Sequence, residues 1–299
     1  MHIAPERLLA HDELRTLSVR ADPFGSERLA IHLALLLAAG GWVAIASGWM
    51  LLPAMLVLGL VQVALFAPLH ETMHQTAFLS RRVNGVVGWL VCLPSLHNWH
   101  FYTAYHLAHH RHTQIPGRDP ELAGKNAATF RDYVYQISGV PFWRMRLRVI
   151  ASAWRGDMSA YPYVTPKMAD KIIFSVRAML FTVVMAVILS VLLFGWATPF
   201  KFWIIPQLIG QPFLRAYLLA EHTGCTEDEN GLTNTRTTLT NAVVRLLMWN
   251  MPYHAEHHLY PSIPFHRLAD AHALLRHRLG VVQDGYARWH AEHLRTLTR

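Results

Sequence analysis

The chain has 299 residues, 53% hydrophobic and only 15% charged, with positive mean hydropathy. A soluble domain carries about a quarter charged residues, so this balance excludes an ordinary soluble core and points to a membrane protein. The formal charge of +8 comes without a Lys/Arg stripe interleaved with aromatics, so nucleic acid is not the expected partner. The two cysteines, Cys92 and Cys225, form no C-x-x-C pair. A disulfide framework or a cysteine metal site is therefore excluded, and two free thiols suit a reducing side of the membrane.

A helix of about 20 apolar residues crosses the hydrocarbon core. Residues 29–50 qualify, and the run starts too late and extends too far for a cleaved signal peptide. A second span, 51–69, follows after a turn at Pro53. It delivers the first of three histidine boxes, His70-Glu71-Thr72-Met73-His74. Residues 83–96 are apolar but short, with Gly85, Gly88 and Pro94, as in a re-entrant or interfacial segment. The second box follows, His106-Leu107-Ala108-His109-His110.

A long polar stretch runs from Arg111 to Lys171. Phe142, Trp143 and Trp154 stand there among Arg144, Arg146, Arg148 and Arg155. That mixture fits a helix in the headgroup region or an amphipathic helix packed on the domain. Residues 172–194 form the cleanest span. Residues 200–220 return across the bilayer despite Pro206, Pro212 and Arg215, and end at Glu221-His222. The third box, His254-Ala255-Glu256-His257-His258, lies in the polar remainder. With neither repeats nor linkers, residues 1–299 read as one all-α membrane domain. It has four transmembrane helices and a cytoplasmic helical cap (70–171 and 221–299).

Charge tests this topology independently. Of the 27 Lys and Arg, 24 lie in segments 1–28, 81–171 and 222–299. The positive-inside rule puts these segments, and hence both termini, in the cytoplasm. The three boxes and His222 fall on that same side of the inner membrane.

The boxes carry the chemistry. Residues three and four apart share a helix face, so each box aims its imidazoles one way. Imidazole binds iron, zinc, copper and nickel. A single zinc takes three or four protein ligands, and eight box histidines exceed that. They suit two metals with room for dioxygen, and iron is the natural redox choice. His222, at the end of the last span, is expected as a ninth ligand. The outer imidazole nitrogens need acceptors, for which Glu71, Asp119, Glu221 and Glu256 are candidates. His97, His100 and His112 are expected to be structural or supporting. Asn250 and Arg236 are weaker candidates for facing the site.

The order and spacing of the boxes around two pairs of spans resemble the integral-membrane fatty acid desaturase and hydroxylase superfamily, from about Leu29 to His272. The run His109-His110-Arg111-His112-Thr113 with Asp119-Pro120-Glu121, and the stretch Asn250 to Pro261, resemble its bacterial members. The third-box region is also similar to the bacterial group of dihydrorhizobitoxine desaturase-like proteins. The resemblance implies a diiron centre held by His70, His74, His106, His109, His110, His254, His257 and His258, with His222 as the further histidine. It also implies O2 as co-substrate, and a lipid acyl chain or similar apolar substrate. The subgroup leaves room for a smaller, amino-acid-like or secondary-metabolite substrate. In the stearoyl-type branch an Asn lies four residues before that further histidine. Leu218 stands there in this chain, which puts an Asn–water contact in doubt. No haem C-x-x-C-H, ferredoxin cysteine set or dinucleotide motif is present. The electron donor is therefore expected to be a separate ferredoxin or cytochrome-type protein with its reductase.

The boxes do not distinguish desaturation from hydroxylation, since both begin with the same hydrogen abstraction. Two other classes compete. His70-Glu71-x-x-His74 is also the H-E-x-x-H signature of zinc peptidases, with Glu71 as general base. That reading leaves both H-x-x-H-H boxes without a role. A metal transporter requires ionisable groups inside the spans, for which His32 and Arg215 are the candidates.

Overall fold

The computed structural model describes residues 8–123 and 127–298. Arg7, Lys125 and Arg299, counted in the charge pattern above, lie outside them. The first helices are α1 (His11–Leu17), α2 (Asp22–Ile45), α3 (Leu51–Val63), α4 (Phe66–Met73), α5 (Arg81–Cys92) and α6 (Trp99–His112). The cap continues through α7 (Phe130–Ile137) and α8 (Val140–Arg155), followed by α9 (Pro166–Phe194) and α10 (Ile205–His222). The C-terminal part holds α11 (Ala242–Leu247), α12 (His254–Leu259), α13 (Leu268–Leu275) and α14 (Tyr286–Thr296). It also contains two short parallel strands, β1 (Thr237–Leu239) and β2 (Val282–Asp284), with Thr237 opposite Val282. The all-α expectation thus omits one small ribbon.

Three helical stretches are long and apolar enough to cross a membrane: Asp22–Ile45, Gly48–Met73 and Pro166–Phe194. On α2 and α9, Leu37, Ile45, Phe181 and Leu192 point outward, all largely exposed. Helices apolar on every side need an apolar surround. The first stretch begins earlier than expected because Asp22 and Pro23 start a helix well. Asp22 also accepts the Leu79 amide at 2.7 Å, tying α2 to the loop behind the first box. The fourth expected span is less regular. It opens with a π-helical turn at Phe200–Ile204, and Pro212 lies inside α10.

Helices α3 and α10 cross at two glycines. A Cβ on Gly210 would come within 2.6 Å of the Gly59 carbonyl oxygen, and one on Gly59 would run into the carbonyl of Pro206. Small residues allow such backbone contact between membrane helices. This crossing fixes the end of α4, which bears the first box, relative to the end of α10, which bears His222. His32 Nε2–H donates across the neighbouring α2–α3 contact to the Val61 carbonyl at 2.9 Å. It joins two helices and does not line a pathway.

Helix α8 is an amphipathic helix packed on the domain. Its inner face buries Phe142, Arg146, Val149 and Ala153. Val149 and Ala153 pack with Phe101, Ile172 and Val176 from α6 and α9. Its outer face leaves Leu147 and Trp154 exposed.

Candidate metal centre

Helix periodicity aims each box inward, and helix termination then turns the chain away. His70 lies in α4, and His74 is its C-terminal cap. Gln75 follows at φ 61°. The second box fills the last two turns of α6, and Gln114 again takes φ 61° two residues beyond the helix. A non-glycine residue in this region costs about 1–3 kcal/mol and persists where its surroundings hold it. The third box forms the start of the short helix α12. His222 is the last residue of α10.

All nine histidines meet. The ring nitrogens of His70, His74, His106, His110 and His257 form one group within 4.8 Å, and those of His109, His222 and His258 form a second. His254 joins the second group, its Nε2 lying 3.2 Å from His222 Nε2 and 3.1 Å from His258 Nε2. The groups touch where His110 stacks on His258, with ring centroids 4.1 Å apart.

The spacing is that of a ligand cage. His106–His110, His110–His257 and His74–His257 approach through Nε2 at 3.0, 3.2 and 3.2 Å. An imidazole nitrogen sits about 2.1 Å from a bound metal, so ligands at right angles stand about 3.0 Å apart. His70 Nδ1 and Nε2, and His109 Nε2, are buried with no hydrogen-bond partner. Such orphaned atoms are costly unless something binds them. The donor set therefore fits two metal ions.

Outer contacts orient the rings. The His109 Nδ1–H donates to the Asp119 carboxylate at 2.9 and 3.0 Å. Asp119 also accepts the amides of Gln114 and Glu121, each at 2.8 Å. His222 Nδ1–H donates to the Asn234 carbonyl at 3.1 Å, and His258 Nδ1 meets Thr113 Oγ1 at 3.2 Å. Each contact turns the ring's other nitrogen towards the cluster. Arg236 donates to the Ala220 carbonyl and, at 3.0 Å, to that of Thr223. It thereby holds the end of α10 that carries His222.

Of the four expected acceptors, only Asp119 bonds the outer nitrogen of a box histidine. Glu71 accepts from the Thr76 hydroxyl at 2.7 Å and the Phe265 amide at 3.3 Å. Glu256 bonds Thr237 and His272. Glu221 approaches the inward side, 3.5 Å from His254 Nε2. Glu121, missed as a site group, lies 3.7 Å from His109 Nε2. Asn250 donates to the Phe265 carbonyl at 3.0 Å and serves the local fold. His97, His100 and His112 stand outside both groups. His97 bonds Ser95 at 2.7 Å.

Electrostatics keep most of the rings neutral, which is the ligand form. Burial, then mutual repulsion, holds His74, His106, His110, His254, His257 and His258 well below the usual imidazole range. Burial, reinforced by His109, lowers His222 to about 3. His109 differs. Burial pulls it down, but Glu121 and Asp119 together leave it raised.

A cavity of about 270 Å³ opens beside the histidines. Phe66, Phe142, Leu218 and Met251 supply apolar walls, and Glu121, Arg146, Arg215 and Glu221 supply charge. Arg146 and Arg215 escaped the sequence reading of the site. An ionisable residue in an expected span was the available signal. The peptidase alternative gains nothing here: Glu71 Oε2 holds Thr76 and the Phe265 amide, Oε1 lies 3.5 Å from His70 Nδ1, and the other two boxes would be left without a role. Of the two transporter candidates, His32 is bonded between α2 and α3, whereas Arg215 lines this cavity beside the histidines.

Comparison with known proteins agrees with this geometry. The family model described as fatty acid desaturase matches residues 47–293. The chain is 24% identical to an sn-1 oleoyl-lipid 12-desaturase of Picosynechococcus sp. over 279 residues, 85% of this chain and 77% of that protein. It is 25% identical to the sn-1 oleoyl-lipid 12-desaturase of Arthrospira platensis, covering 76% of this chain and 69% of that one. It is also 25% identical to the dihydrorhizobitoxine desaturase of Bradyrhizobium elkanii, covering 81% and 71%. Three membrane-length helices, a nine-histidine cluster and a match over most of its length show that the chain belongs to the fatty acid desaturase family.

Proposed function

We propose that the chain is a single-domain, membrane-bound, O2-dependent diiron desaturase acting on an acyl chain or similar apolar substrate. The observation that carries this reading is the convergence of nine imidazoles from α4, α6, α10 and α12 into two touching groups beside a cavity. His70, His74, His106, His110 and His257 would hold one iron, and His109, His222, His254 and His258 the other. Two bound iron ions supply the dioxygen chemistry that removes hydrogen from an unactivated C–H bond.

The protein's own part is positioning and exclusion of water. Asp119, Asn234 and Thr113 hold the rings in the tautomers that present nitrogen lone pairs inward. Phe66, Leu218 and Met251 offer an apolar path to the histidines. Desaturation is favoured over hydroxylation by the relatives' names. The charge pattern supports four spans, with both termini and the metal centre on the cytoplasmic side of the inner membrane. Electrons come from a separate ferredoxin or cytochrome-type donor and its reductase.

The test is metal and product analysis. Purified protein is expected to carry about two iron atoms per chain. With a donor system it should consume O2 and yield an alkene detectable by mass spectrometry. One zinc and no iron would overturn the reading.

A further inference from the structure

Two cations share the cavity wall away from the histidines. Arg146 of α8 is 6% exposed, and Arg215 of α10 is partly buried. Their guanidinium carbons lie 5.2 and 4.6 Å from the centre of the same Phe142 ring. One aromatic ring thus contacts both cations. Among the described residues, neither has an ion pair or a side-chain hydrogen bond. Arg146 Nε and Arg215 Nε and Nη2 are buried without a partner.

The acids of the same cavity act on Arg215 without forming an ion pair with it. Glu121 lies 3.8 Å from His106 Nδ1 and 3.7 Å from His109 Nε2. Glu221 lies 3.5 Å from His254 Nε2. The carboxylates thus stand against the histidines and leave both guanidiniums without an ion-pair partner. Burying charge without a partner is strongly unfavourable, and an aromatic face recovers only part of that loss. The guanidinium fork matches a carboxylate through two parallel hydrogen bonds.

We propose that Arg146 and Arg215 clamp the carboxylate of a short substrate, whose apolar stem runs past Phe66, Leu218 and Met251 to the histidines. The cavity volume of about 270 Å³ lies just below the roughly 300–1,000 Å³ that holds a drug-sized ligand. A short chain fits this space better than a whole lipid. The identification of this ligand as substrate rests on the proposed function; the binding of the carboxylate does not.

Calorimetric titration of the purified full-length protein in detergent tests the clamp, with hexanoate, hexanamide and hexyl phosphate as probes. Hexanoate is expected to bind at least about tenfold more tightly than the uncharged amide. Arg146→Met and Arg215→Met should each remove that preference, weakening hexanoate binding far more than hexanamide binding. Equal binding of acid and amide overturns the proposal, as does a preference for hexyl phosphate, or an acid preference that survives both substitutions. If the Met variants fail to fold, the acid–amide comparison on the unsubstituted protein decides alone. Acid preference in a protein that binds no iron leaves the clamp standing and removes the diiron reading. Iron loading and O2 turnover without acid preference remove the clamp alone.

Discussion

Asp119 and His109 form a buried carboxylate–imidazole pair, with Nδ1 2.9 Å from one oxygen and 3.0 Å from the other. The pair joins α6 to the loop behind it, since the same carboxylate accepts the Gln114 and Glu121 amides. Losing such an outer contact costs about 10–100-fold in metal affinity or activity. Asp119→Asn is therefore expected to weaken iron binding by about that factor, in the metal group that contains His222 and His258. Iron titration against a chelator of known affinity measures it.

His257 bridges two boxes, standing 3.2 Å from both His74 and His110. His257→Ala should abolish turnover and lower the iron content. Alanine favours the helix α12 that carries this position, so the variant is expected to keep its helical fold at neutral pH. Metal analysis and circular dichroism on the same sample check both halves. Full turnover in this variant would contradict the ligand assignment.

Glu71 separates the desaturase from the peptidase reading. Its carboxylate holds Thr76 and the Phe265 amide, so Glu71→Gln should reduce stability by about 1–3 kcal/mol. Oxygen consumption should fall by less than about tenfold, because the proposed mechanism asks no proton transfer of it. Near-complete loss of activity in a folded variant would favour a general base.

The glycine crossing of α3 and α10 sets the distance between His70 and His222. Gly210→Ala places a methyl group against the Gly59 carbonyl, and overpacking of this kind costs about 1–3 kcal/mol. The expected result is a lower unfolding temperature in detergent, together with reduced iron occupancy. Gly41→Ala, on α2 with open space around it, should change neither.

Acid should destabilise the metal-free protein. Most of the clustered imidazoles have folded pKa values below that of an unfolded histidine, near 6.5. Below about pH 6.5 the unfolded chain binds more protons than the folded one, so stability falls as pH drops. Each ring that stays neutral contributes about 1.4 kcal/mol per pH unit to that slope. His109, raised by its acidic neighbours, works against the trend. Unfolding with chelator present at pH 8 and at pH 5.5 measures the difference. Equal stability at the two values would contradict the neutral cluster.

The spans and boxes were legible because their signals are local. Twenty apolar residues in a row need an apolar surround wherever they occur. Histidines three and four apart share a helix face whatever the helix meets. Residues 172–194 and both H-x-x-H-H boxes are helical in the structure. The errors lie where a side chain's direction depends on distant backbone. Glu71, Glu221 and Glu256 stand beside histidines in sequence, yet only Asp119 bonds an outer nitrogen. The other three are taken by Thr76, by the inner side of the cluster, and by Thr237 with His272.

The sequence by itself pointed to the family, to three of its four expected spans and to the nine histidines, since each follows from short-range periodicity and composition. Tertiary structure alone decided which imidazoles share a group. His110 sits with His70 and His257, whereas its neighbour His109 sits with His222 and His258. Adjacent helical residues point about 100° apart, so one box serves both groups. Only the tertiary placement of α8 and α10 brought Arg146 and Arg215 onto one Phe142 ring. Their meeting depends on how two helices far apart in sequence are docked, and no local pattern encodes that.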